Sequence, residues 1–351
     1  MSFPNLAKFL TLTVIAAAIT GNSVHAQFTW DGGDGSSQNW SADNWTGTAP
    51  ADNFSGSFVF AGTNNTGDSM TPINNDLADG TITGITFNSA ASEFYIGGNA
   101  FTLSGDISFN GNPAVATTHT IANDITLSDT STIALRDNGN LTLSGTLTSG
   151  AINLNGNGIL TLGNTTNTFS RITANDNATV RISNFDSLGT QNRLLGGQGN
   201  DTATLEYTGD AVTTNFQARW GLSAGTGGMV IRNSSASNGT ITFSHGTFNL
   251  RPSSYGGTGD TRNIEFDTNT GDIIVQGVIQ NPETRPRYHQ PDQDRRWQFD
   301  APRREYLHRQ HHGFRRHPDP QWRFNAEHHR RGRRGQRGHS PTEFSWRRND
   351  Q

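Results

Sequence analysis

The sequence predicts an all-β fold, a right-handed parallel β-helix of short strands, and three observations predict it. Apolar residues alternate with Thr, Ser and Asn over many short runs, the period-2 mark of a strand with one buried face. Only 32% of the residues are apolar, too few for a thick core but enough for a narrow buried stripe on each strand. Strand–turn–strand units of similar composition recur: LTLSG, INLNG, LTLGN and ITFSHG. Stacked in register, they place Thr over Thr and Asn over Asn at the ~4.8 Å strand spacing. A β-sandwich of hairpins is the alternative for strands this short.

Residues 1–26 read as a signal peptide. Lys8, the only lysine, precedes an apolar run from Phe9 to Ala18, and Val24-His25-Ala26 has small residues at both positions of an A-x-A-like cleavage site. The run is too short to span a bilayer, so the mature chain is expected to begin at Gln27. Export permits disulfides, yet the chain has no cysteine, so backbone pairing and stacking must supply its stability.

Residues 27–60 form a segment rich in Trp and Gly. Trp30, Trp40 and Trp45 stand among glycines and small polar residues. The first turn of a solenoid has one open face, and large aromatics can cover it, so this segment is expected to be an N-terminal cap. The functional alternative is a carbohydrate-stacking platform.

Residues 61–280 carry the repeats. TITGITFN (81–88), FTLSGDISFNG (101–111), HTIANDITL (119–127) and the run from Leu141 to Gly163 all alternate, with strands of three to five residues expected. Asn110-Gly111 and Asn155-Gly156 supply the positive φ that tight corners need. GDIIVQGVIQ (271–280) still reads as one strand, Ile273, Val275 and Ile279 on one face and Ile274 and Val278 on the other. No stretch after residue 26 shows helical periodicity.

No constellation in these residues points to catalysis. A polysaccharide lyase or hydrolase needs clustered carboxylates with a cation facing one cleft, whereas the eight arginines of 27–280 are scattered and lysine is absent. His119 and His245 fall inside strand-like runs and read as ladder residues. Gly196-Gly197-Gln198-Gly199-Asn200-Asp201 matches the start of a calcium-binding nonapeptide, but that motif binds between tandem copies and only one is present, so it reads as a glycine-rich corner. No catalytic, cofactor-binding or metal-ligating residue is therefore expected, nor any cofactor, and the chain reads as a non-enzyme.

Residues 158–189, GILTLGNTTNTFSRITANDNATVRISNFDSLG, resemble the autotransporter-associated β-strand repeat. Leu160-Thr161-Leu162 matches its first strand, Asn167-Thr168-Phe169 its N-T-Y and Leu188-Gly189 its closing Leu-Gly. Ser170-Arg171 and Ala178 depart from the usual T-G and glycine. The opening TWDGG…NW…NW…AP also resembles the start of secreted members of this family. The resemblance implies a β-solenoid passenger, secreted or at the outer surface of a Gram-negative-type bacterium, with an outer-membrane export or anchoring module in the intact gene. It implies an adhesin-like or structural role towards an unknown surface or glycan ligand. A carbohydrate-binding or carbohydrate-cleaving surface protein is the alternative.

From about Asn281 the composition changes abruptly. Residues 27–280 hold eight arginines and 21 acidic residues, a formal charge of −13; residues 281–351 hold 17 arginines and nine acidic residues, +8, with eight of the eleven histidines. The genetic code accounts for this tail as a shifted reading frame. One base forward, Glu305 must become Asn or Ser, Tyr306 and His308 Thr or Ile, Gln310 Asn or Ser, His311 Thr or Ile and His312 Thr or Met, while Leu307 permits Tyr and Arg309 permits Gly. The shifted text can thus read NTYTGNTT, the core of the same repeat. As translated, 281–351 has the polar, unpatterned composition of a disordered segment. Its basic clusters, such as His328 to His339, would ordinarily suggest nucleic-acid binding, but a shifted frame makes no nucleic acid an evolved partner.

Overall fold

The structure, a computed structural model, describes residues 26–197, 199–220, 227–244, 247–249, 263–276, 278–280 and 321–324. The expected leader lies outside them apart from Ala26. The expected disordered tail does too, apart from a short strand at Gln321–Phe324.

The described chain is nearly all strand, wound as a parallel β-solenoid. One long sheet runs from Ala26–Trp30 through Ser55–Phe60, Thr81–Phe87, Phe101–Asn110, Thr130–Arg136, Ala151–Asn155, Ile172–Ala174 and Arg193–Gly196 to Gln217–Trp220. A second runs from Ile73–Asn75 to Asn263–Asp267. The chain visits the two in alternation, and the strand pairs are parallel throughout the solenoid. Parallel neighbours need a full circuit between them, whereas hairpins pair antiparallel. The β-sandwich alternative is thereby excluded.

In most circuits from the third on, a shorter element follows the second-sheet strand: Ile125–Leu127, Leu147–Thr148, Val212–Thr214, Ile241–Phe243 and Ile273–Val275, and in one circuit the 3-10 turn Phe185–Leu188. That turn begins where Asn184 accepts a hydrogen bond from the Asp186 N–H at 2.9 Å, an Asx cap on the Asn-Phe-Asp-Ser stretch.

Two expectations about strands need correction. Phe101–Asn110 is a single strand of ten residues, longer than three to five. It spans two positions at once, pairing with Ile125–Leu127 at one end and Thr130–Arg136 at the other, which the next circuit separates with a corner. Residues 271–280 are two strands, Ile273–Val275 and Val278–Gln280, pairing in different sheets.

The core is a set of ladders. On the second sheet Ile73, Ile96, Ile121, Leu143, Leu162, Ile182, Tyr207 and Asn233 stack in successive turns. Beside them His119, Leu141, Leu160, Val180, Leu205, Ile231 and Phe266 form a parallel ladder. On the first sheet Phe58, Ile85, Ile107, Ile133, Leu154, Ala174 and Gly196 do the same. All of these are buried. In the repeat-like stretch, Leu160, Leu162, Phe169, Ala178 and Leu188 are all buried. Its motif residues are therefore the packed ones.

The two ends of the stack are finished differently. At the start, Trp30, Trp40 and Trp45 are buried with Phe58, the Trp40 and Phe58 rings 4.8 Å apart and those of Trp45 and Phe58 5.2 Å apart. At the other end, Gln321–Phe324 pairs antiparallel with Asn263–Asp267, covering the edge of the second sheet.

Candidate functional site

The feature with most chemistry is an outward rank on the second sheet. Successive turns place Thr120, Thr142, Thr161, Arg181, Glu206, Arg232 and Asp267 over one another. Alternation sends these side chains outward because their strand neighbours fill the core ladders. The last four alternate in sign. Arg181 Nε donates to Glu206 at 2.9 Å, and Arg232 Nε donates to Asp267 at 2.7 Å. Ser234 Oγ donates to the other oxygen of Glu206 at 2.8 Å. Both carboxylates are mostly buried, at 11% side-chain exposure. The Asp267 hydrogen bond holds the Arg232 guanidinium above its usual value, outweighing desolvation, with the charges of Asp267, Glu206 and Glu265 adding to it.

The sequence reading of the arginines as scattered fails for Arg181 and Arg232. Circuits of different lengths bring them into one rank, and without the register no spacing rule exposes it. What remains true is that the rank is self-neutralising: each carboxylate already binds a guanidinium. An acid–base pair needs carboxylates free to face a substrate, and this arrangement ties them up.

The tryptophans of the cap present no stacking face. Trp30 is 0% exposed, Trp40 1% and Trp45 2%, whereas a sugar platform needs open rings. Trp45 Nε1 donates to the Trp40 carbonyl at 2.8 Å and Trp30 Nε1 to that of Asn65 at 3.1 Å, so both indoles are fixed from within. Two shallow depressions mark the surface. One at the cap is lined by Ser36, Gln38, Asn39, Asn65, Thr71 and Asn74, and the other includes Asn184, Asp186, Asn192, Thr214, Asn215 and Ser244. Both are open and lined mostly by amides and hydroxyls, the second with the Asp186 carboxylate, Phe185 and Val212 as well. Among the described residues no group of three or more His, Asp or Glu side chains could hold a metal ion.

Gly197, Gly199, Asn200 and Asp201 lie at a corner after the strand Arg193–Gly196. Gly197 and Gly199 have φ of +66° and +59°, which side chains rarely adopt, and Gly196 lies against the Ala203 methyl with no room for a Cβ. Asp201 accepts from the Asp176 N–H at 3.3 Å in the preceding turn, a structural task.

His119 occupies an inward ladder position, 0% exposed, where the following turns carry Leu141, Leu160 and Val180. Its ring stacks on Phe87 with centroids 4.1 Å apart at 10°, and meets Phe109 edge-on at 4.3 Å. Nδ1 accepts the Phe94 N–H at 3.0 Å, so the ring proton sits on Nε2, which is buried with no partner among the described residues. Desolvation pushes its pKa down to about 3. The ladder role expected from the sequence holds for His119; His245 lies outside the described residues.

Amides do similar internal work. Asn167 Oδ1 accepts the Leu147 N–H at 2.8 Å while its Nδ2 donates to the carbonyls of Asn164 and Ser187, both at 2.9 Å. Asn75 and Asn123 donate to the Asn99 carbonyl at 2.9 and 2.8 Å. Sequence reasoning marked asparagines as corner formers but could not name the turn each one bridges. No family model matches this chain, and no curated protein and no solved structure matches it either.

Proposed function

We propose that this chain is the solenoid of a secreted, cell-surface passenger protein that serves as a structural or adhesive rod and carries no catalytic site. One observation carries the reading: the outward rank of alternating charges is neutralised within itself, on a surface otherwise of hydroxyls, amides and exposed carboxylates. Such a surface suits contact spread along a rod better than chemistry at a point. The signal-like leader and the repeat-like stretch at 158–189 support export and a passenger role in a Gram-negative-type host. The fold alone would license neither. In this reading the tail is a shifted frame, and the intact gene continues into further repeats and an export or anchoring module.

Expression of the full gene in a Gram-negative-type host, with cell fractionation and mass spectrometry of the product, tests export. The expected product leaves the cytoplasm and begins at Gln27; a cytoplasmic chain retaining residues 1–26 overturns it. A glycan array combined with a reducing-sugar assay separates a rod from the carbohydrate-directed alternative, sugar release being the result that favours an enzyme. Reading the DNA from codon 270 onward decides the frame. The shifted frame should stay open past the present stop and encode more LTL…NTYTG text.

A further inference from the structure

We infer that His119 is an acid-sensitive latch: a proton taken up there breaks its contacts with Phe94 and Phe87 and opens the first turns of the solenoid. The latch deepens no functional assignment and stands whether or not the chain is exported.

The argument begins with an anomaly in the ladder. Every other residue at this register, Leu141, Leu160, Val180, Leu205, Ile231 and Phe266, is apolar. An ionisable ring in their place has one polar contact, the Phe94 N–H donating to Nδ1. That contact requires an unprotonated Nδ1. A protonated ring would turn a donor towards a donor and put a cation among Phe87, Phe94 and Phe109. Burial of an uncompensated charge is the costliest event such an interior can undergo.

No neighbouring charge offsets it. Thr81–Phe87 carries no ionisable group, Phe101–Asn110 carries only Asp106, and Gly139–Leu143 carries none. Glu93 precedes Phe94, and Asp124, Arg136 and Asp137 flank the adjoining strands; all of these, with Asp106, are exposed at the outer surface. Desolvation is the cause of the lowered pKa, in agreement with this geometry.

The sign follows from linkage. The unfolded histidine binds a proton below its ordinary value near 6.5, and the folded one resists until about 3. The folded state therefore loses stability as pH falls through that window, and is unaffected above it. One proton corresponds to about a tenfold rise in the opening equilibrium for each pH unit of acidification within that window. The ordinary carboxylates titrate at about 4, so the interval from about pH 6 to 4.5 belongs mainly to histidine.

The test uses the full chain. Thermal unfolding followed by tryptophan fluorescence, to which the buried Trp30, Trp40 and Trp45 contribute three of the seven tryptophans, is compared between pH 7 and pH 4.5 for the natural protein and His119→Leu. The natural protein should lose Tm on acidification while the variant, carrying the residue of the next turn, should lose much less. Equal losses in both overturn the latch. A second measurement needs no variant: the His119 ring resonance in the folded protein should not titrate between pH 7.5 and 4.5, and amide exchange across 81–121 should quicken selectively in acid. A ring that titrates near its ordinary value in the intact fold, or exchange that quickens evenly along the solenoid, refutes it.

Discussion

The turns up to residue 121 and those beyond residue 139 wind the same way yet are held by different side chains. The first set packs rings: Trp30, Trp40, Trp45, Phe54, Phe58, Phe60, Phe87, Phe94, Phe109 and His119 are all buried in it. The second set packs mainly Leu, Ile and Val inside, with Phe169 and a Phe185, Phe216 and Phe243 cluster at its corners, and places its ion pairs outside. For the three tryptophans of the first turn the difference follows from position. An end turn has a neighbour on one side only, so large rings must supply the area that a second neighbour would bury. An inner turn is covered twice and needs only a medium side chain at each ladder point. The comparison teaches that the closed end depends on a few large residues, while the inner turns spread their stability over many small contacts.

The largest effect should come from breaking the aromatic end. Trp40 contacts Trp45, Phe54 and Phe58, with centroid distances of 5.9, 5.7 and 4.8 Å, and its backbone N–H donates to the Asn74 carbonyl at 2.9 Å. Trp40→Ala removes the ring at their centre and should cost about 3–5 kcal/mol. Trp40→Phe should cost much less, since the indole Nε1 is buried without a partner among the described residues. Denaturant unfolding of the two variants checks the ratio; equal losses would mean that ring area is not what the site uses.

How much of this was legible before the structure follows from what alternation can carry. Period-2 patterning marks which face of a strand is buried, so the ladder residues of 139–182 were readable from LTL, INL and ILTL. Patterning says nothing of which strand lies above which, since that depends on the length of each circuit. Arg181, Glu206, Arg232 and Asp267 could therefore not be aligned from spacing, because the steps between them are unequal. The buried state of Trp30, Trp40 and Trp45 was legible as a cap, since an end turn needs cover. The environment of His119 was half legible: the strand gave its inward direction, and the rings around it come from other turns. The antiparallel strand Gln321–Phe324 carries no period long enough to be seen.

The inner turns should show intermediate effects at their amide bridges. Asn167→Ala leaves the buried Leu147 N–H without its acceptor. A buried donor left unmade costs about 1–3 kcal/mol, less than a lost ring but more than a surface contact. Asn167→Asp keeps the acceptor but turns a buried carboxylate oxygen towards the Asn164 and Ser187 carbonyls, so at neutral pH it should cost more than the alanine variant. Urea midpoints would rank the three, and an alanine variant as stable as the natural chain would remove the bridge from the account.

The smallest effect belongs to the outward ions, and its salt dependence identifies it. Arg181 and Arg232 are 37% and 38% exposed in their side chains, so water screens much of the attraction, while Glu206 and Asp267 are 11% exposed and lose more when unpaired. Arg232→Met keeps the aliphatic stem and removes the charge, leaving Asp267 without its 2.7 Å partner. The expected cost is about 1 kcal/mol, between a solvated surface pair and a buried one. It should shrink as salt is raised from about 0.05 to 1 M, because the Debye length falls to about 3 Å and the natural pair loses its advantage. Glu206→Gln distinguishes a rank from two separate pairs. If the four charges act together, the cost of Arg232→Met and that of Glu206→Gln will not add, since Glu206 also helps hold the Arg232 guanidinium protonated. Strict additivity in the double variant would leave two independent ion pairs, and the inner turns would then owe their register to the inward ladders alone.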